Sequence, residues 1–261
     1  MPRVVAAIVA FGLAVGILAN PAPGAARPKP KPSPSPAPTA TVTPSPTPTP
    51  TGFIDGIDVS YHQGSIDWGR VAGAGKRFAF VRASAGTLTS DTAYATNRGG
   101  ARAAGLAVGA YHYANPDTAA NDAANEAAWF LENATVGSGD LVPVLDLEVS
   151  NGLGAAALTS WAQTWLANVS AATGVRPLIY TTPSFWSKAM ANTDWFARNG
   201  YRVWIAHWTT AAQPTVPATN WAGQGWTFWQ YSSTGSVPGI GAAVDLDRFN
   251  GSALPESLFV R

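Results

Sequence analysis

The chain has 261 residues, a formal net charge of +1 and no cysteine, so its fold depends on an apolar core without disulfides, and thiolate chemistry is excluded. Four of the 16 Lys and Arg residues precede residue 52, whereas all 15 Asp and Glu residues follow it, which leaves residues 52–261 with a net charge of −3. That net charge excludes the positive electrostatic field that nucleic-acid binding needs. The length of about 210 residues suits one domain with a substantial core.

The first 51 residues contain two segments that are not expected to belong to the core. Arg3 precedes an apolar run, Val4–Leu18, and small residues follow as far as Ala26, which predicts a secretory signal peptide over residues 1–26. A membrane anchor is the alternative, but the run is shorter than the roughly 20 residues that span a bilayer. Residues 27–51 alternate Pro with Ser, Thr and Lys, which predicts an extended linker. We expect residues 52–261 to form a monomeric domain with no stable membrane insertion after cleavage.

Short apolar runs in residues 52–261 alternate with Ala-rich segments of helical character. The eight predicted strands are Ile54–Ser60, Arg77–Ser84, Leu106–Tyr113, Leu141–Glu148, Arg176–Thr182, Arg202–Ala206, Thr227–Ser232 and Ala243–Phe249. The five predicted helices are Asp67–Ala74, Asp91–Ala104, Thr118–Asn133, Ala155–Thr173 and Ser184–Asn199. Gly105, Gly174 and Gly200 each come just before a strand, and this position predicts a left-handed residue at the end of the preceding helix.

Strand and helix alternate regularly as far as about Ile205, which predicts parallel strands joined by crossover helices. Eight such strands can close into a barrel. The segments that follow Ile205 have the composition of loops. We therefore expect an irregular α/β barrel of the TIM-barrel type, with about eight strands, about five full helices and a thinner wall near the C-terminus. An open doubly wound sheet is the alternative, because a sequence does not show closure.

The stretch "VPVLDLEV", Val142–Val149, places two carboxylates late in an otherwise apolar strand. Side chains at positions i and i+2 of a strand lie on the same face, so Asp146 and Glu148 point together. An unpaired buried carboxylate costs several kcal/mol, which makes a purely structural role unfavourable. In a parallel barrel the C-terminal strand ends form the active face.

Two further strands carry carboxylates in similar positions. Asp58 lies near the end of the first strand, and Asp245 and Asp247 share one face of the last strand. Because the first and last strands are neighbours in a closed barrel, we expect Asp58 and Asp245 to converge on the same mouth. For Asp247 the alternative is a structural salt bridge, for example with Arg248 or Arg82.

Converging carboxylates are typical of glycoside hydrolysis or of metal binding. In the first case, crowding and partial burial raise the pKa of one carboxyl so that it can protonate a leaving oxygen. In the second case, His62, His112 and His207 could join the carboxylates, but they show no H-x-H or H-E-x-x-H spacing, so a metal site is the weaker interpretation. We expect neither a metal nor another cofactor.

The chain is rich in aromatic residues, with 11 Trp and 7 Tyr. A flat ring beside polar groups suits a sugar ring, although core packing accounts for many aromatic residues. The candidates for substrate binding lie near predicted strand ends: Tyr61, Tyr111, Tyr113, Tyr180, Trp208, Trp229 and Tyr231.

Eight fragments between Gly56 and about Gly251 resemble, in order, the glycoside hydrolase family 25 lysozymes, or Chalaropsis-type muramidases. They are "GIDVSYHQGSIDW", "FAFVRASAG", "AGLAVGAYHYA", "VPVLDLE", "LIYT", "VWIAHW", "FWQYSSTGSVPGI" and "VDLDRFNG". Any one fragment is a weak signal, but eight in order are highly specific.

The resemblance implies a flattened β/α barrel and hydrolysis of the β-1,4 bond between N-acetylmuramic acid and N-acetylglucosamine in peptidoglycan, whose glycan strands would be the partner. By motif, Glu148 looks like the proton donor, Asp146 its acidic partner, and Asp58 and Asp245 the supporting carboxylates. Such an enzyme would act outside the cell or at the cell wall. One departure is "RASAG" where many members read "KATEG", so Ala85 stands in place of a glutamate, which alters one wall of the groove.

Three mechanisms remain open at this stage. Retention through a protein nucleophile requires two carboxyls about 5 to 5.5 Å apart, whereas inversion requires about 6.5 to 9.5 Å. In the third, which we favour, Asp146 orients the 2-acetamido group of the substrate while Glu148 acts as acid and then as base. Two other function classes are also open, a noncatalytic wall-binding module and a metal-dependent polysaccharide deacetylase.

Overall fold

The computed structural model describes residues 52–261. The predicted signal peptide, residues 1–26, and the predicted linker, residues 27–51, lie outside the described residues. The described residues are those of the domain predicted for residues 52–261.

Eight strands close into a barrel, and a ninth short strand lies at its edge. The strands are β1 Ile54–Val59, β2 Phe78–Ala85, β3 Thr89–Ser90, β4 Ala107–Tyr113, β5 Leu141–Asp146, β6 Leu178–Thr181, β7 Val203–Ala206, β8 Phe228–Gly235 and β9 Val244–Phe249. Their order is β1-β9-β8-β7-β6-β5-β4-β2-β3, and β1 also pairs with β2. That pairing closes the barrel, so the predicted barrel is confirmed and the open sheet is wrong.

The direction of the last strand differs from that of a regular barrel. Neighbouring strands from β1 through β2 and β4 to β8 run parallel, whereas β9 runs antiparallel to both β8 and β1. The connection between β8 and β9 is short enough for a strand to return without a crossover helix. The N-terminal end of β9 therefore lies at the same mouth as the C-terminal ends of the other strands.

Seven helical segments surround the barrel: α1 Trp68–Gly73, α2 Tyr94–Ala103, α3 Asp122–Asn133, α4 Ala155–Thr173, α5 Pro183–Ala189, α6 Trp195–Arg198 and α7 Pro217–Ala222. Single turns of 3₁₀ helix occupy Tyr61–Gln63 and Glu256–Leu258. The first four predicted helices are confirmed, and the fifth is divided into α5 and α6. Helix α7 was predicted as loop, and its residues Ala218–Trp221 have left-handed dihedral angles.

The helix ends and the buried helix faces follow from local sequence. Gly105, Gly174 and Gly200 have φ of +84°, +73° and +81°, so the predicted left-handed ends are confirmed. The longest helix, α4, buries Leu158, Trp161, Ala162, Trp165, Leu166 and Val169, the spacing of one helix face. In the part of the chain that the structure describes, none of the helices combines the length and the apolar character needed to cross a membrane.

The strands separate two apolar cores, one outside the barrel and one inside. Leu145 and Leu147 face outward into the core beneath the helices. Val144 faces the barrel interior, where rings such as those of Phe78 and Phe80 pack. Gly56 and Gly109 leave room for these two rings, since a Cβ on either glycine would overlap one of them. These side chains fill the interior below the mouth of the barrel.

Candidate active site

A cleft of about 260 Å³ opens at the mouth of the barrel. It is lined by Asp58, Tyr111, Asp146, Glu148, Tyr180, Trp204, Trp208, Gln230, Ser233 and Asp245. The structure therefore brings Asp58, Asp146, Glu148 and Asp245 together at one cleft. A larger cavity, of about 690 Å³, lies at another position and contains none of them.

Asp146 and Glu148 enter the cleft from the end of β5. The strand ends at Asp146, two residues before the predicted end, because Glu148 lies in the segment that follows. Leu147 N donates to Tyr180 O at 2.9 Å, and Asp146 O accepts from Ala114 N at 2.9 Å. These bonds to both neighbouring strands hold the segment extended, so the two carboxyls still point in the same direction.

Asp58 and Asp245 lie directly opposite each other on β1 and β9. The predicted convergence is therefore present in the structure, although it arises from an antiparallel pair. Asp247, two residues further along β9, lies deeper in the barrel and is fully buried. Its Oδ1 accepts from Trp204 Nε1 at 2.9 Å.

The salt-bridge alternative for Asp247 is wrong. Within residues 52–261, Arg248 pairs with Asp55, at 3.3 Å between Nε and Oδ1, and Arg82 pairs with Asp91, at 3.0 Å between Nε and Oδ2. The charge of Asp247 instead contributes, after burial, to the raised pKa of Asp58, and among the described residues Asp247 Oδ2 has no hydrogen-bond partner.

Gln230 connects the aromatic and acidic parts of the cleft, and it was missed by the sequence analysis. Its Nε2 donates to Asp58 Oδ2 at 2.8 Å, while its Oε1 accepts from Tyr180 Oη and from Trp208 Nε1, each at 3.1 Å. The side chain is buried, so these partners fix its orientation. The aromatic motif around it, "FWQYSS", was the only signal that could have identified it.

Burial is the main cause of the raised pKa values of the carboxyls in the cleft. It raises the pKa of Asp146 well above its ordinary value, with a further contribution from Glu148. It also raises the pKa of Glu148, with a contribution from the charge of Asp245, and it raises the pKa of Asp245 to about 6. The cleft can therefore hold a proton near neutral pH, as a general acid requires.

Asp146 and Glu148 differ in exposure and in hydrogen bonding. Asp146 is 7% exposed, and among the described residues its buried Oδ1 has no hydrogen-bond partner. Glu148 is half-buried and therefore more accessible from the cleft. A buried acceptor without a partner is unfavourable in the free protein, so Asp146 Oδ1 is available to a donor on a bound molecule.

The seven aromatic candidates are distributed over three environments. Tyr111, Tyr180 and Trp208 line the cleft, and 61% of Trp208 is exposed. Tyr113 lies at the end of β4, close enough to Glu148 and Asp146 for their charges to raise its pKa, after burial. Tyr61 is 49% exposed and faces Arg82, whose Cζ lies 5.0 Å from its ring centre.

Trp229 and Tyr231 are not brought to the cleft. Trp229 is 2% exposed and packs in the outer core, where its Nε1 donates to His207 O at 2.8 Å. Tyr231 also contacts the outer core and faces Arg248, whose Cζ lies 4.3 Å from its ring centre. Their neighbour Trp204 has the opposite orientation and lines the cleft, which the sequence analysis did not identify.

None of the three histidines lines the cleft. His112 is buried on the outer side of β4, between Ser84 Oγ and Glu126 Oε2, each at 2.8 Å, and burial lowers its pKa. His207 Nδ1 accepts from Thr215 N at 2.9 Å, and His62 packs against Tyr61. Within residues 52–261, no three His, Cys, Asp or Glu side chains are grouped so that they could hold a metal ion.

Comparisons with known proteins agree with this architecture. The family model described as glycosyl hydrolases family 25 matches residues 57–240. The chain is 37% identical over 215 residues to lysozyme M1 of Streptomyces globisporus. The aligned region covers 78% of this chain and 70% of that protein. It is 30% identical over 208 residues to the N,O-diacetylmuramidase of Chalaropsis sp. The aligned region covers 74% of this chain and 96% of that protein. The crystal structure of the bacterial lysozyme from Streptomyces coelicolor superposes with a TM-score of 0.72 at 37% identity, over 78% of this chain and 94% of the other.

Proposed function

Because this chain belongs to family 25 of the glycosyl hydrolases, we propose that its cleft cleaves the β-1,4 bond between N-acetylmuramic acid and N-acetylglucosamine, with Glu148 as general acid and base and Asp146 as its assistant. The chain is a glycoside hydrolase of the muramidase type and hydrolyses peptidoglycan. The bond that it cleaves and the roles of its residues belong to the proposal.

The observation that carries the proposal is the difference between the two carboxyls of "VPVLDLEV". Asp146 presents a buried oxygen without a partner among the described residues, which suits the N–H of a substrate acetamido group. Glu148 is more accessible and has a raised pKa, which suits a proton donor to the glycosidic oxygen. The pair thus provides one acceptor and one acid.

In the first step Glu148 donates its proton to the glycosidic oxygen. The acetamido oxygen of the same muramic acid residue attacks the anomeric carbon as the bond to the leaving sugar breaks. Asp146 accepts a hydrogen bond from the acetamido N–H and stabilises the positive charge that develops on the resulting ring. In the second step the Glu148 carboxylate removes a proton from water, which attacks the anomeric carbon and reopens the ring with overall retention.

The other polar groups support these two steps. The charge of Asp245 raises the pKa of Glu148 and so helps to keep the acid protonated. Gln230 orients Asp58 and Trp208 together. Trp208, Tyr111 and Tyr180 line the cleft and offer aromatic faces to the sugar rings.

Digestion of purified peptidoglycan, followed by analysis of the new reducing ends, tests the proposed bond. Muramic acid at those ends is the expected result, whereas glucosamine would show that the other glycosidic bond is cleaved. To test the mechanism, a substrate without the acetamido group should be cleaved at least about 10²-fold more slowly, because the internal nucleophile is missing. Equal rates on the two substrates would contradict the assisted mechanism.

Glu148→Gln distinguishes catalysis from simple binding. The variant should lose at least about 10³-fold in kcat and still bind the glycan, since the amide cannot act as an acid. The exposed Glu132→Gln provides a matched control, because Glu132 lies on α3, outside the cleft. A wall-binding module would be indifferent to both substitutions, and a metal-dependent deacetylase would instead lose activity in chelator.

We also propose that residues 1–26 direct export and that residues 27–51 serve as a tether, so that a monomeric enzyme acts outside the cell on the wall. The support is the sequence pattern of those two segments together with a substrate that lies in the cell wall. Detection of a mature chain beginning near residue 27 in the culture medium tests the proposal.

A further inference from the structure

Arg82 is a cation at the edge of the cleft, and the ionisable groups that line the cleft include four carboxyls. It lies on β2 in register with Tyr111, a residue that lines the cleft. Along β2 it follows Phe78 and Phe80 at intervals of two residues, and both of these point into the barrel. Because side chains alternate along a strand, Arg82 extends toward the mouth above the rings.

The guanidinium of Arg82 is oriented through one nitrogen and one face. Its Nε donates to Asp91 Oδ2 at 3.0 Å, and its Cζ lies 5.0 Å from the centre of the Tyr61 ring. Asp91 Oδ2 also accepts from Tyr61 N at 3.1 Å, so the three residues form a connected unit. Within residues 52–261 the two terminal amino groups of Arg82 have no hydrogen-bond partner.

The position of this charge opposes the raised pKa values of the cleft. Arg82 lowers the pKa of Asp146, opposing the effect of burial. It also lowers the pKa of Tyr111 and Tyr113. Arg82 is thus close enough to the cleft for its charge to act on Asp146 and Tyr111, which line it.

We propose that Arg82 is a substrate-binding residue whose two terminal amino groups bind the carboxylate on the lactyl side chain of muramic acid. This inference rests on the proposed function and adds a substrate preference to it. A guanidinium held at Nε presents a planar fork that matches both oxygens of a carboxylate. In peptide-bearing glycan the same group is an amide with one acceptor oxygen, so the preferred substrate is glycan from which the peptide has been removed.

The preference implies an order of reactions at the wall. An amidase-type reaction, which hydrolyses the amide bond between the lactyl group and the peptide, releases the carboxylate of the preferred substrate. The bound carboxylate then neutralises Arg82, whose charge lowers the pKa of Asp146.

The test compares two forms of one tetrasaccharide of alternating N-acetylglucosamine and N-acetylmuramic acid, with the lactyl groups as free acids or as methyl esters. The wild-type chain should prefer the acid by about tenfold in kcat/KM, because the hydrogen bonds at stake are charge-assisted. In Arg82→Gln the preference should fall to about one, mainly through a higher KM for the acid. Arg82→Lys should keep part of the preference.

Arg198→Gln is the matched control, since Arg198 is exposed on α6 and pairs with Asp194, the residue that precedes this helix. It should preserve the wild-type preference. An unchanged preference in Arg82→Gln would overturn the inference, as would an equal loss on both substrates, which would assign Arg82 to support of Tyr61 and Asp91. Calorimetric binding of the free acid and of the ester monosaccharide gives the same comparison without turnover. A failure of the proposed hydrolysis is therefore distinguishable from a failure of this inference.

Discussion

Replacement of Asp245 by asparagine should stabilise the folded protein at neutral pH. Burial raises the pKa of Asp245 to about 6, from an ordinary value of 3.8. Each unit corresponds to about 1.4 kcal/mol, so ionisation of this carboxyl in the folded state costs about 3 kcal/mol. Asparagine has nearly the same shape as the protonated acid and carries no charge at any pH, so it avoids this cost.

The sign of the pH dependence follows from proton binding. Between pH 3.8 and about 6 the folded chain holds the Asp245 proton more tightly than the unfolded chain. The free energy of unfolding contributed by this group therefore falls as pH rises through that window. In Asp245→Asn the free energy of unfolding does not fall for this reason, because the asparagine does not ionise. Between pH 4 and pH 7.5 the variant should gain about 2 kcal/mol relative to the wild-type chain, or about 4 to 8 °C in Tm.

Urea denaturation of both proteins at pH 4 and at pH 7.5 measures this difference. Comparison of the two pH values cancels any effect of the substitution that does not depend on ionisation. In activity measurements the alkaline limb of the kcat profile should move to lower pH, because the charge of Asp245 raises the pKa of Glu148. A variant no more stabilised at pH 7.5 than at pH 4 would refute the assigned cost of burying this charge.

Three further substitutions test individual parts of the molecule. Trp208→Ala should raise KM by about tenfold and change kcat little, since a stacking surface binds substrate and transition state alike. Steady-state kinetics on a glycan oligomer measures both constants, and a fall in kcat alone would contradict this role. Gln230→Leu should lower kcat by up to about 10²-fold while the circular dichroism spectrum is retained, because its three partners lose their common anchor. Gly100→Ala should destabilise by about 1 to 3 kcal/mol, since a Cβ there would overlap the Trp68 ring. Gly73→Ala, which has open space around it, is the control in the same thermal melts, where equal Tm values would contradict the overlap.

Most of the barrel was predictable because its strands and helices have strong local signals. Helix α4 has the predicted bounds, Ala155–Thr173, since an apolar stripe continues to a left-handed glycine at Gly174. The direction of β9 was not predictable, because alternation with a period of two is the same for parallel and antiparallel strands. The position of Asp245 at the mouth was nevertheless anticipated, since β9 was correctly placed next to β1.

The aromatic part of the cleft was less predictable than its carboxyls. In "FWQYSS" the side chains of Trp229 and Tyr231 point outward and that of Gln230 points inward. Composition suggested the two aromatic residues as sugar contacts, but the face of a strand is set by its pairing in the barrel. Carboxyls are easier to place, because a charged group inside a buried strand already indicates a special environment.

The acidic cluster can exist in a stable barrel because its charges are not all present at once. Burial raises the pKa of both Asp58 and Asp247, and the charges of neighbouring carboxyls add to this effect, so protonation removes charge from the deepest part of the site. Trp204 donates to one of the pair and Gln230 to the other, which stabilises the remaining charge. Glu148, nearer to the surface, is then the member of the cluster that can exchange its proton with a substrate, and the stability lost by burying acids is the condition for its function as an acid.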